Sequence, residues 1–170
     1  SLVDNWLFYP HIYRNATANQ DARGVYTYLG QYPDFSMRYA ARSPYGVSSY
    51  QLSIPATESG QTISIYFPEI DIASEIWLDD TLVASNGNVK TAPIKARIQN
   101  TVITFSTEKT HTLYVIAAND THYYSGMYYP CILSTPQGIQ SMILRKVLFY
   151  GFLVFSSLSI GLYSLNLWIR

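Results

Sequence analysis

Asn119-Asp120-Thr121-His122-Tyr123-Tyr124 is where side chains able to hold a polar ligand crowd most closely, directly after the apolar run Leu113 to Ala118. An Asn amide both donates and accepts, so Asn119 suits a hydroxyl-rich ligand. A Tyr ring at 123 or 124 offers a flat face on which a sugar can stack. His122 adds an imidazole, and Arg42 and Tyr45 are the contributors expected from another loop. This is chemistry of recognition rather than of bond breaking. The plainer alternative is that Asn119 only closes a turn at a strand end, since Asn does so often and Tyr, with sixteen copies, is common throughout.

Other polar groupings point to less. Asp79-Asp80 reads as a solvated hairpin turn, because adjacent residues there point different ways and no third carboxylate follows. Glu69, Asp71 and Glu75 are hard oxygen ligands that would suit Ca²⁺, but their spacing matches no known loop, so surface charge is expected and no metal. Cys131 is the one cysteine; it has no disulfide partner in the chain and is expected to be a small buried hydrophobe. No Gly-rich phosphate loop, nucleophile elbow or paired-His motif occurs, so neither catalysis nor a cofactor is expected of this stretch. Eleven basic and eleven acidic residues cancel, which removes the electrostatic footprint that nucleic-acid binding needs.

The elements that must carry the polar loop are strands. Short runs bounded by turn residues recur at Val25 to Leu29, Ser49 to Ile54, Thr62 to Phe67, Ser74 to Leu78, Thr81 to Ser85, Val102 to Phe105, Thr112 to Ala118 and Met127 to Leu133. This spacing predicts an all-β sandwich. Tyr50, Leu52 and Ile54 alternate with polar residues, as do Ile63, Ile65 and Phe67, so each run should bury one face. Asn86-Gly87-Asn88 reads as a turn, whereas Trp6 to Tyr13, aromatic without clear alternation, supports no assignment.

Val147 to Trp168 contains no charged residue, and at about 1.5 Å per helical residue it covers roughly the 30 Å of a bilayer's hydrocarbon core. Arg145, Lys146 and Arg170 flank it, and Tyr150 and Trp168 stand where interfacial aromatics belong. A transmembrane helix in contact with lipid is therefore expected at 141–170, after a sandwich at 1–140. Ser157 and Gly161, four apart, would present a small patch to a neighbouring helix, and with it a homodimer. Ser1 opens without a basic and apolar leader, so an export signal is expected to have been removed or to lie outside this stretch.

The order of features from Tyr45 onward carries a resemblance. Tyr45 to Pro55, Ile63 to Ile70, Ala73 to Gly87, Leu113 to Asn119 and Ser125 to Tyr129 resemble, in sequence, the extracellular jelly-roll domain of bacterial seven-transmembrane receptors with diverse intracellular signalling modules. That domain is a relative of galactose-binding-like carbohydrate modules. The resemblance implies a jelly-roll sandwich, with the span from Val147 standing where the first membrane helix of such receptors begins. Asp79-Asp80 replaces the Asn-Gly usual at that hairpin, and Ser125-Gly126 replaces a pair of glycines.

Together these readings predict a ligand-sensing domain on the extracytoplasmic side of a cell membrane, recognising a carbohydrate or other small polar molecule. In such receptors a downstream module, commonly a diguanylate cyclase, histidine kinase or phosphatase, supplies the output. The alternative is a carbohydrate-binding module of a tethered or secreted glycoside-processing enzyme; a purely structural domain is the third reading.

Overall fold

The computed structural model describes residues 1–10, 24–29, 44–123 and 125–169, and it divides into two units, Ser1–Leu133 and Ser134–Arg170. The first unit is a jelly-roll β-sandwich. Its strands are β1 (Trp6–Tyr9), β2 (Val25–Thr27), β3 (Gly46–Ile54), β4 (Thr62–Phe67), β5 (Ala73–Leu78), β6 (Thr81–Asn88), β7 (Lys95–Ala96), β8 (Thr101–Ser106), β9 (His111–Asn119) and β10 (Ile132–Ser134). Among the described residues the larger sheet runs β2-β1-β3-β9-β5-β6-β7 and the smaller β10-β4-β8.

Strand β9 is the axis of the larger sheet. It pairs antiparallel with β3 from Gly46↔Asn119 to Ile54↔His111, and on its other side with β5 from Ala73↔Ala118 to Leu78↔Leu113. Its inward residues Leu113, Val115 and Ala117 are buried, as the alternation of a strand on a core demands. They join Tyr50, Leu52 and Ile54 of β3, and Ile65 and Phe67 of β4 across the sandwich, in one core. The expected one-sided burial is present from Tyr50 to Ile54 of β3, whereas β4 also buries Ser64 and Tyr66 on its other face, with Ile63 packed at the core's margin. Ile116 and Ala118, on the opposite face of β9, are buried too, so the outer face of this sheet is also partly covered.

Three local readings change. Trp6–Tyr9, left unassigned by its sequence, is an edge-side strand: Trp6 and Phe8 face the core while Leu7 and Tyr9 lie half-buried on the other side, so apolar residues on both faces hide the period of two. Asn86-Gly87-Asn88 does not turn; β6 continues through it and pairs Gly87 with Ala96 and Asn88 with Lys95. Gly87 has φ near 100°, and a Cβ there would lie 2.0 Å from the Lys95 carbonyl oxygen, so only glycine lets β7 approach. Met127 to Leu133 yields only the short β10, since Pro130 has no amide hydrogen to give a ladder, although Cys131 still bridges to Leu2.

The second unit is one helix, α1 (Pro136–Ile169), of 34 residues. Pro136 opens it at a position where a missing N–H costs nothing. Thr135 caps it, its hydroxyl accepting the Gly138 amide at 3.1 Å. The helix is long and apolar enough to cross a membrane. Its Ser157 and Ser159 hydroxyls donate back to the carbonyls of Leu153 and Phe155 at 2.9 Å, which satisfies those two hydroxyl hydrogens within the helix.

Candidate functional site

Strand β9 ends at Asn119, and this residue organises the loop that follows. Its amide donates to the carbonyls of Pro44, at 2.9 Å, and His122, at 2.6 Å. Its oxygen accepts the amides of Thr121, at 3.3 Å, and His122, at 2.8 Å. An Asn side chain has two donor hydrogens and two acceptor lone pairs, so all four positions are used inside the protein. Asn119, buried to all but 3% of its surface, shapes the site rather than offering a polar atom to a ligand.

What it shapes is a hollow of about 180 Å³ at this end of the sandwich. One wall is small and apolar: Ala73 from β5, Ala118 from β9, Ala96 from β7 and Ile94 just before β7. Asp71, Asp120, Thr121 and His122 supply the polar side. Asp120 fixes the two walls together, because its Oδ2 accepts the Ile94 amide at 2.7 Å. Asn88 steadies the same β6–β7 connection, its Oδ1 accepting the Lys90 amide at 3.1 Å and its Nδ2 donating to the Thr91 carbonyl at 2.9 Å.

The structure brings Asn119 and His122 to this hollow, and ties in the Pro44-Tyr45 segment through the Pro44 carbonyl. Tyr45 and Tyr123 do not line it; both are exposed, each next in the chain to a residue that Asn119 holds. Arg42 and Tyr124 lie outside the described residues. Asp120 belongs to the polar cluster beside Asn119, and Asp71 enters the sequence reading only as an oxygen ligand set aside as surface charge. Ile94 carries no signal in the sequence, and it reaches the hollow through strand pairings that no local pattern specifies.

The acidic residues separate. Glu75, expected at the surface, is buried on β5, where it accepts the Trp77 indole N–H at 3.0 Å and pairs with Lys90 at 3.7 Å. Glu69 instead has its backbone amide bound by the Asn100 side chain. Among the described residues, no three His, Cys, Asp or Glu side chains are grouped so as to hold a metal ion. Asp79 sits in the β5–β6 hairpin turn as expected, at φ near 53°, yet it is not simply solvated. Its carboxylate accepts the Thr112 amide at 2.9 Å and lies 2.8 Å from His111 Nδ1 and 3.4 Å from the Lys109 ammonium. Burial pushes this carboxyl up, but the Thr112 hydrogen bond and the His111 and Lys109 side chains outweigh it and hold it below the ordinary Asp value.

No family model and no curated protein matches the chain. Solved structures do match its fold. A β-galacturonidase of glycosyl hydrolase family 2 from Eisenbergiella tayi, bound to galacturonate, aligns over 79% of this chain with a TM-score of 0.52 and 15% identity. A family 2 member from Bacteroides cellulosilyticus aligns over 78%, with a TM-score of 0.55 and 18% identity. A calcium-binding mutant of a Bacteroides uniformis β-glucuronidase aligns over 78%, with a TM-score of 0.56 and 16% identity. The chain spans only about a fifth of those proteins, 23%, 20% and 17% respectively. At such identities the likeness concerns the sandwich fold alone.

Proposed function

We propose that this chain is the ligand-binding, non-catalytic sandwich of a membrane receptor, held outside the cytoplasm by its C-terminal helix and recognising a sugar in the hollow beside Asn119. The observation that carries the reading is one chain in which a jelly-roll sandwich ends at β10 and a 34-residue apolar helix opens two residues later, at Pro136. An amphipathic hollow at the loop end of a rigid sandwich suits a sugar, whose ring is apolar on one face and rimmed with hydroxyls. Binding there would bias the attached helix by differential contact with two arrangements, and a cytoplasmic module would read the shift.

A second reading, a carbohydrate-binding module of a glycoside-processing enzyme, is favoured by the neighbours, in which this fold accounts for about a fifth of a glycosidase chain. The apolar helix directly after the sandwich argues for the receptor. The test for sugar recognition is a thermal-shift screen of the full chain in detergent micelles against mono- and oligosaccharides. A native-state ligand at 100 times its Kd stabilises by about 2.7 kcal/mol, so a binding sugar raises Tm by several degrees. Ala96→Phe, at an exposed strand position lining the hollow, should remove the shift while keeping the melting transition. Silence from every sugar would exclude both carbohydrate readings.

A further inference from the structure

Asp71 and Asp120 give the hollow its electrostatic sign. Among the described residues no donor or cation engages the Asp71 carboxylate, and Asp120 is engaged only through the oxygen that accepts the Ile94 amide. Ionised carboxylates accept and cannot donate, so the carboxylate oxygens of these two half-buried residues are open to hydroxyl or ammonium donors from a ligand that displaces water from the hollow. The described lining contains no Lys or Arg to receive an anion. The same hollow is lined by Ala73, Ala96, Ala118 and Ile94, which are small apolar groups. At about 180 Å³ the space is smaller than the roughly 300–1,000 Å³ of drug-sized ligand pockets, which limits it to one ring-sized unit.

Resting on the sugar-binding reading above, we infer that the hollow selects by charge: it takes a single neutral or amino-substituted hexose unit and rejects a uronate of the same ring. Vicinal hydroxyls donate to a carboxylate through both its oxygens, and the apolar face of the ring lies on the alanine wall. An ammonium in place of one hydroxyl strengthens the contact, because it adds the attraction of opposite charges to the hydrogen bond. A ring carboxylate brings like charge against Asp71 and Asp120, and the described lining offers the His122 imidazole but no Lys or Arg to relieve it, which is discrimination by repulsion.

The experiment is calorimetric titration of the full chain in detergent micelles with galactose, glucose, glucosamine, galacturonate and glucuronate at neutral pH. The expected result is binding of the neutral sugar, glucosamine at least as tight, and uronates weaker by about tenfold or more. Asp71→Asn should narrow that gap, and raising the salt should narrow it in the unaltered protein as well. Uronates that bind as tightly as their neutral counterparts would overturn the inference and leave the sugar reading standing. So would a gap unmoved by both Asp71→Asn and salt. Failure of every sugar to bind would instead overturn the sugar reading itself, and the inference with it.

Discussion

The side chain of Asn119 has four hydrogen-bonding positions, and the fold fills all of them with backbone partners on either side of the loop. Removing such a group takes away four part-buried hydrogen bonds to backbone at once, each worth about 0.5–1.5 kcal/mol net. Asn119→Ala should therefore destabilise the sandwich by about 1–3 kcal/mol, read as a shift in the urea unfolding midpoint at an unchanged slope. Any loss of ligand binding in that variant would follow from the loop's collapse. Asp79 gives a prediction in pH. Its folded-state value lies below the ordinary one, so its contribution is present above the unfolded-state value, about 4, and is lost as pH falls through the folded-state value. Tm should accordingly drop on acidification below about pH 4, and Asp79→Asn should have a lower Tm at neutral pH and a shallower acid drop.

Alternation places β3, through Tyr50, Leu52 and Ile54, and β4, through Ile63, Ile65 and Phe67, while β5, β8 and β9 coincide with short runs bounded by turn residues. A strand with apolar residues on both faces shows no such alternation, which is why Trp6–Tyr9 was illegible. Gly87 misled for a physical reason: the φ freedom that makes Asn-Gly a turn signal here permits close approach of β7. The hollow was half legible. The loop after β9 follows from its polarity, but the wall across it depends on long-range pairing, and Asn119 faces inward to its own loop. The helix was the plainest element, because the span from Val147 to Trp168 needs no partner to be read. The proposed membrane role of this helix yields a direct prediction. Leu158→Arg places a charge near the middle of that run, at a cost to insertion of about 2.5–3.5 kcal/mol. The unaltered chain should stay in the membrane pellet after an alkaline wash, and the variant should shift toward the supernatant.

At the scale of the whole molecule, the proposal requires the sandwich to lie on the outer side. Glu58, exposed in the turn between β3 and β4, is a suitable reporter. The native thiol will not compete: Cys131 is fully buried, and burial pushes its pKa far above the ordinary thiol value, so almost no reactive thiolate forms. Glu58→Cys should be labelled by a membrane-impermeant maleimide in intact expressing cells; labelling only after lysis would place the sandwich inside. The central claim, that the hollow beside Asn119 is where a sugar is recognised, is tested most directly by backbone amide NMR of the full chain in detergent micelles, titrated with galactose and glucosamine. The account predicts saturable shifts concentrated at Asp71, Ala73, Ile94, Ala96 and Asp120 to Tyr123. Saturable shifts centred on another face of the sandwich, or none at sugar concentrations where the thermal screen is positive, would contradict it.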